Sequence, residues 1–280
     1  MSRFRFSAVV PAFAALLAAC GDVPLPSPLA PTAAPTSIVN GTPAGGLYPA
    51  VGALMFDYRR NGLTGSDAIC TGTLISPTVF LTAAHCVADL SFTPPGSQFY
   101  VSFAPDLYAP GAVYLTATGY AFDPAYGHDQ AHLQDIAVVF LKAEETAGIT
   151  PMRLPTRHEL DALAAKGGLV NAIFVNVGYG TSASQTGLPR FSYDGKRNMS
   201  ESEFMALQPT WLGLLMNNSA TGLGGDCYGD SGGPKFLSSN PGVVYATVIT
   251  GDYNCRATSW DYRMDSDGSR AFLSQHVTLP

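Results

Sequence analysis

Charged side chains are scarce in this chain. Asp, Glu, Lys and Arg make up 13% of its 280 residues, the net charge is −6, and no basic run occurs after residue 5. This composition argues against a nucleic acid as a partner, because phosphate binding needs a basic surface. The 29 glycines and 21 prolines favour short strands and many turns over long helices. The length is sufficient for one large all-β unit or for two small barrels.

Long apolar runs are missing as well. Residues 8–19 form an apolar stretch that Pro11 interrupts, and it is shorter than the ~20 residues that a transmembrane helix needs. Because Arg3 and Arg5 precede it, we expect residues 1–19 to be a signal peptide for export. The stretch ends in Leu-Ala-Ala-Cys, which resembles the lipobox of bacterial lipoproteins and predicts a lipid on Cys20. An ordinary secretory signal that is cut nearby is the alternative.

A proline-rich segment comes next. Residues 22–37 contain five prolines and a single charged residue, and a segment of this kind is a semi-extended linker without a core of its own. We therefore expect residues 20–37 to be a tether or propeptide between a lipid anchor and a domain that begins at residue 38. The protein would then be exported and anchored to the bacterial cell envelope by its lipid.

Ser231 lies in the run Gly-Asp-Cys-Tyr-Gly-Asp-Ser-Gly-Gly-Pro at 225–234. Acyl transfer needs an exposed nucleophile with N–H groups aimed at the oxyanion, and glycines permit such a turn. The run resembles the nucleophile loop of the chymotrypsin/trypsin-like serine peptidases. Leu-Thr-Ala-Ala-His-Cys, which contains His85, and Asp-Ile-Ala-Val, which begins at Asp135, resemble the family's histidine and aspartate motifs. The order along the chain is also that of the family.

The resemblance implies an all-β fold of two six-stranded antiparallel Greek-key barrels, chymotrypsin-like, with a short C-terminal helix. The peptidase domain would cover residues 38–280, with one barrel at about 38–145, the other at about 165–265 and the helix at about 267–277. It further implies a monomeric serine endopeptidase that acts on protein or peptide substrates and uses no metal or cofactor.

The resemblance also assigns catalytic roles. Ser231 would attack the peptide carbonyl, His85 would take its proton and Asp135 would hold the imidazole. The N–H groups of Gly229 and Ser231 would bind the oxyanion.

Other residues near Asp135 offer alternatives. Asp123 and Asp129 compete with it as the acid of the triad, and Asp135 is favoured because it opens an apolar strand. His128 and His132, four residues apart and close to carboxylates, are the pattern of a metal site. No helical turn is otherwise indicated there, so we expect no metal.

The five cysteines are an odd number, which sets one of them apart. The resemblance implies two disulfides, Cys70–Cys86 beside the histidine motif and Cys227–Cys255 beside the nucleophile loop. Cys20 is then left over for lipidation. Disulfides fit an exported protein.

Ile-Val-Asn-Gly, beginning at Ile38, resembles the start of the mature peptidases. There, a cut before the isoleucine frees an ammonium that pairs with the aspartate beside the catalytic serine, here Asp230. Ser37 precedes the cut instead of Arg or Lys, so no trypsin-like activator is indicated. If Cys20 carries lipid, a cut at 37–38 would also release the enzyme from the membrane.

The substrate pocket is where the sequence departs from its relatives. The resemblance implies that five residues contact the substrate: Gly225, Asp226, Tyr228, Thr250 and Gly251. Gly225 occupies the position at the pocket base where trypsin-like enzymes have aspartate, and Asp226 follows one residue later. Asp226 either favours a basic substrate residue or is paired locally, which leaves an apolar or mixed preference.

Two other functions share these motifs. A peptidase-fold surface lipoprotein that no longer cuts and acts as a binding module is the main alternative, because Ser37 and the pocket wall are unusual. An esterase would use the same acyl-enzyme chemistry.

Overall fold

The computed structural model describes residues 38–88, 98–127 and 134–280, which belong to one structural unit at 34–280. The predicted signal peptide, the tether, Cys20 and the histidines at 128 and 132 lie outside the described residues. Among the helices of the described part, none has the length and apolarity that crossing a membrane requires.

Short strands dominate this part of the chain, as the glycine and proline content predicts. The strands are β1 Thr42–Pro43, β2 Val51–Phe56, β3 Ala68–Ser76, β4 Val79–Thr82, β5 Phe99–Ser102, β6 Leu115–Thr116, β7 Gly119–Phe122, β8 Ala137–Phe140, β9 Ile173–Gly178, β10 Ser182–Ala183, β11 Phe191–Ser192, β12 Asn198–Leu207, β13 Trp211–Leu215, β14 Pro234–Leu237, β15 Asn240–Gly251 and β16 Thr258–Arg263.

The helices of the described residues are few and short. They are α1 His85–Ala88, α2 Ala143–Thr146, α3 Glu159–Ala165, α4 Asn218–Thr221, α5 Asp267–Leu273 and a 3-10 turn at Gly65–Asp67. Helix α5 begins after Ser266, whose hydroxyl accepts the N–H of Ser269, a side-chain cap of the usual kind. It ends at Leu273, four residues before the predicted boundary, and turns cover the remainder.

Two antiparallel sheets organise the fold. The first has the strand order β6-β5-β2-β3-β4-β8-β7. The second has the order β1-β12-β13-β16-β15-β14-β9, and β9 also pairs with β12, which closes six of its strands into a barrel. The predicted chymotrypsin-like fold is confirmed, with the first sheet drawn from seven strands instead of six.

Strand β1 differs from the predicted boundaries. Residues 38–145 were expected in the first barrel, but Thr42 and Pro43 pair with Met199 and Asn198 of the second sheet. Val39 also forms a bridge to Gly225. The start of the domain therefore belongs to the second sheet, and it lies beside the nucleophile loop.

The apolar core holds both sheets together. Val51, Leu81 and Val138 of the first sheet pack in one buried cluster with Val177 and Phe236 of the second. Burying such side chains contributes roughly 1.5–3 kcal/mol each. The segments directly before or after these strands carry the candidate site, so a rigid core fixes their positions.

A buried arginine reinforces this junction. Arg197 is 2% exposed, and its guanidinium donates to the carbonyls of Val51 (3.0 Å), Phe103 (3.1 Å) and Gly45 (2.9 Å). Val51 lies in β2 of the first sheet, Phe103 directly follows β5 and Gly45 belongs to the N-terminal segment, whereas Arg197 directly precedes β12 of the second sheet. One side chain thus satisfies backbone groups of three segments.

Candidate active site

His85 and Asp135 lie at the ends of neighbouring strands of the first sheet. His85 begins α1 just after β4, and Asp135 comes two residues before β8, which pairs with β4. The His85 Nδ1 is 2.7 Å from Asp135 Oδ2, and the His85 backbone N–H donates to Asp135 Oδ1 at 2.9 Å. Asp135 is 7% exposed. Both carboxylate oxygens are therefore engaged by one histidine, which fixes the ring orientation.

The loop around Ser231 is held from within by Asp230. This carboxyl is fully buried, and it accepts the backbone N–H groups of Gly180 (2.8 Å) and Cys227 (2.9 Å). Gly229 has φ +95°, a conformation that side chains other than glycine rarely adopt. Within the described residues, the N–H groups of Gly229 and Ser231 have no acceptor. Both donors are thus available for a ligand beside Ser231.

Backbone contacts bring the Ser231 loop to the histidine segment. The Thr71 N–H donates to the Ser231 carbonyl at 2.9 Å, and Cys86 Sγ lies 3.9 Å from the same oxygen. Thr71 Oγ1 also donates to the Gly229 carbonyl at 3.0 Å. Thr71 links the two halves of the site, and no motif in the sequence pointed to it.

Both expected disulfides are confirmed: Cys70–Cys86 and Cys227–Cys255. Cys70, Cys86 and His85 come close enough together to resemble a group of metal ligands. Because the two sulfurs are joined to each other, neither is available as a thiolate.

A cavity of about 350 Å³ opens beside Ser231, at the small end of the range for ligand pockets. Four of the five predicted substrate-binding residues line it, namely Asp226, Tyr228, Thr250 and Gly251. The fifth, Gly225, lies behind the wall, where a Cβ would come within 2.4 Å of Met216 Cβ. Met216 lines the cavity in its place.

Asp226 is nearly buried at 5% exposure, and it is paired locally. Its Oδ2 accepts hydrogen bonds from Lys235 Nζ and from Ser259 Oγ, the latter at 3.0 Å. Lys235 itself is fully buried, and its Nζ lies 3.6 Å from Asp261 Oδ1. The sequence analysis missed Lys235, Ser259 and Asp261. A lysine inside the apolar run Pro-Lys-Phe-Leu was the available signal, because an unpaired lysine is rarely buried.

Tyr228 lies at the rim of this cavity and is 48% exposed. Its hydroxyl donates to the Tyr253 carbonyl at 3.0 Å, and its ring makes edge contacts with Tyr253 and Phe191. The two tyrosines come from two different chain segments that line the cavity, so the hydrogen bond joins those segments.

Ile38 and Asp230, the predicted activation pair, are both fully buried. The Val39 N–H donates to the Gly225 carbonyl at 2.9 Å, so the N-terminal segment reaches the nucleophile loop. Burial raises the pKa of Asp230 well above its usual value, and the nearby Asp226 carboxyl raises it further. No Lys, Arg or His of the described residues forms an ion pair with Asp230.

Known proteins resemble this chain in both sequence and fold. It is 28% identical over 234 residues to the collagenase of Hypoderma lineatum, and the match covers 79% of each chain. The solved structure of an HL collagenase has a TM-score of 0.60 and 20% identity, with 86% of this chain and 100% of that chain covered. Human heparin binding protein has a TM-score of 0.61 and 18% identity, with coverage of 86% and 96%.

Mouse neuropsin, a serine protease of the brain, has a TM-score of 0.60 and 17% identity, with 85% of this chain and 99% of that chain covered. At these identities the structures support the fold. The family is established by sequence: the model of the Trypsin family matches residues 50–261, which are most of the chain. This chain belongs to the trypsin family of serine peptidases.

Proposed function

We propose that the protein is a serine endopeptidase in which His85, Asp135 and Ser231 form the catalytic triad. The observation that carries the proposal is the His85–Asp135 pair, with its 2.7 Å contact between Nδ1 and Oδ2. An aspartate that accepts the Nδ1 proton leaves Nε2 as the basic nitrogen of the ring. Family membership and the unengaged N–H groups of Gly229 and Ser231 support the same function.

In the proposed reaction, Ser231 Oγ adds to a peptide carbonyl carbon while its proton moves to His85 Nε2. The carbonyl oxygen becomes an oxyanion that the N–H groups of Gly229 and Ser231 bind, and each such donor is worth about 2.7–4 kcal/mol. Asp135 stabilises the imidazolium. The imidazolium then protonates the leaving amine as the C–N bond breaks, and water hydrolyses the acyl-enzyme through the same steps in reverse order.

We further propose that a cut at 37–38 completes the site. An ammonium at Ile38 would give the buried Asp230 carboxylate its counter-charge, because an unpaired buried carboxylate is unfavourable. The burial of Ile38 and the bond between Val39 and Gly225 support this role. If Cys20 is lipidated, the same cut frees the domain from a membrane-anchored precursor. Cell fractionation with N-terminal sequencing tests this, and a tightly membrane-bound form that begins at Ile38 would contradict it.

The test of the function is labelling by a fluorophosphonate. The chain beginning at Ile38 should be modified at Ser231, as located by peptide mass, and His85→Ala should abolish the reaction. Turnover of a peptide amide together with that of the matching ester separates an endopeptidase from an esterase, since only the endopeptidase cleaves the amide efficiently.

A binding module is the other candidate, because one neighbour of the same fold is named a heparin binding protein. The present chain carries a net charge of −6, which disfavours a polyanion such as heparin as a ligand. A folded, disulfide-bonded sample that begins at Ile38 and does not react with the fluorophosphonate would favour a binding module over the peptidase.

A further inference from the structure

We infer that Lys235, a buried lysine behind the cavity, makes this pocket accept an uncharged substrate side chain and reject arginine and lysine. The inference rests on the proposed peptidase function for the identity of its ligand, the residue before the cleaved bond. The chemistry of the pocket can nevertheless be tested without turnover.

The ammonium of Lys235 forms two hydrogen bonds and one longer ion pair with neighbouring acceptors. Its Nζ donates to Asp226 Oδ2 and to Asn176 Oδ1 (2.6 Å), and it lies 3.6 Å from Asp261 Oδ1. An ammonium has three donors, and three side chains surround this one. Because Lys235 is fully buried, water does not weaken the pair. The Asp226 carboxylate thus already has its cation.

The position of Ser259 suits a cluster in which one of the two acids is protonated. Its Oγ lies 3.0 Å from Asp226 Oδ2 and 2.8 Å from Asp261 Oδ1. A hydroxyl has one proton to donate, so it can donate to only one of the two carboxyls. The other contact is a hydrogen bond only if that carboxyl is protonated. The geometry therefore suits one proton shared between the two acids, which would leave the pair with a single negative charge.

Burial assigns that proton to Asp261. Its pKa is raised to about 7, chiefly because burial disfavours the charged form. With Asp261 neutral, the negative charge of Asp226 and the positive charge of Lys235 cancel. Asp230 is the third buried acid beside Asp226 and Asp261. Its counter-charge would be the proposed ammonium of Ile38. The buried acid cluster behind the cavity then carries no net charge while Asp261 holds its proton.

The other carboxylate of the cavity is also occupied. Asp252 Oδ1 accepts the backbone N–H groups of Arg256, Ala257 and Thr258 at 3.1, 2.7 and 3.0 Å. These bonds hold the carboxylate in its own turn. An entering guanidinium or ammonium would lose its water and would meet only carboxylates that are already held, Asp226 by Lys235 and Asp252 by its own backbone, which is unfavourable.

Apolar groups form much of the remaining wall. Met216, Val248 and the Cys227–Cys255 disulfide all line the cavity. Met216 occupies its place because Gly225 has no side chain. A cavity of about 350 Å³ with such walls suits one large aliphatic or aromatic side chain. The residue before the cleaved bond should therefore be leucine, methionine, phenylalanine or tyrosine.

The experiment compares peptide substrates that differ only in the residue before the cleaved bond. The protein should cleave after phenylalanine or leucine at least about 100-fold faster, in kcat/KM, than after arginine or lysine. Lys235→Met should free the Asp226 charge and lower this ratio at least about tenfold. Lys196→Met, at a half-exposed lysine 4.0 Å from Asp106, is the matched control and should keep the wild-type ratio.

Binding of 4-aminobenzamidine, a cationic fluorescent ligand, gives a readout without turnover. In a Ser231→Ala background, the protein with Lys235 should show no saturable binding, and Lys235→Met should create it. A wild-type preference for arginine or lysine, saturable benzamidine binding with Lys235 present, or a folded Lys235→Met protein that matches wild type would each overturn the inference. If Lys235→Met does not fold, the wild-type profile and titration decide alone. Failure of the proposed function appears separately, as absent fluorophosphonate labelling of Ser231.

Discussion

Asp135→Asn is the sharpest test of the proposed triad, because the structure determines which way the new amide must turn. Asp135 accepts two N–H groups from His85, one from the backbone at 2.9 Å and one from the ring at 2.7 Å. An amide has one oxygen and one NH₂ group, so it can satisfy only one of these donors.

The backbone N–H cannot change, whereas the imidazole can move its proton from one nitrogen to the other. We therefore expect the amide oxygen to keep the backbone bond and its NH₂ to donate to His85 Nδ1. The ring proton then resides on Nε2, and the ring can no longer accept the proton of Ser231. At 7% exposure, the site has little water to relieve this arrangement.

The expected loss is about 10⁴-fold in kcat, equivalent to about 5.4 kcal/mol of transition-state stabilisation. Hydrolysis of a peptide amide measures kcat, and thermal unfolding checks that the variant is folded. Asp123→Asn is the matched control: that carboxylate accepts the Ala125 N–H at 2.9 Å, and its loss should change kcat by no more than about twofold. A folded Asp135→Asn protein within about tenfold of wild type would refute the assignment.

Three further predictions concern stability. Because the pKa of Asp261 is raised to about 7 from 3.8, the folded state binds a proton that the unfolded chain has released. The free energy of unfolding should therefore fall between about pH 4 and about pH 7. Asp261→Asn should reduce this fall, as measured by urea titrations at several pH values. An unchanged pH dependence would contradict the raised pKa of Asp261. Replacing both Cys227 and Cys255, which are 28 residues apart, with alanine should cost about 3.5 kcal/mol; an undiminished urea midpoint would contradict it. Arg197→Met removes the side-chain donor of three carbonyls, of which that of Val51 is buried, and should cost about 1–3 kcal/mol by the same measurement.

The motifs of the sequence predicted the parts of the site that lie on rigid backbone. His85, Asp135 and Ser231 occur in runs whose neighbours are fixed by strand packing and turn geometry, and the resemblance of those runs to the motifs of the family indicated them. The disulfides Cys70–Cys86 and Cys227–Cys255 followed from the same resemblance. Such features depend on short stretches of chain, which a single sequence displays.

The electrostatics of the pocket could not be predicted in this way. Whether Asp226 faces a substrate or an internal partner depends on which side chains the barrel places behind it. Lys235 and Asp261 come from β14 and β16, which lie on either side of β15 in the sheet. Their meeting is a property of strand order and register, and a one-residue shift would turn each side chain to the opposite face.

The assignment of β1 failed for a similar reason. Two residues, Thr42 and Pro43, carry no periodicity, and their pairing with β12 depends on contacts far along the chain.

That pairing has a consequence for any terminus created at Ile38. Strand β1 and the Val39–Gly225 bridge hold the residues that follow Ile38. The new ammonium would therefore be an intramolecular ligand tethered by a short, fixed segment. Its effective concentration at Asp230 would be on the order of millimolar or higher, independent of dilution. A free peptide beginning with isoleucine and valine would have to match that concentration to compete. Activation would then be a single irreversible event in each molecule, and the activated state would persist on dilution.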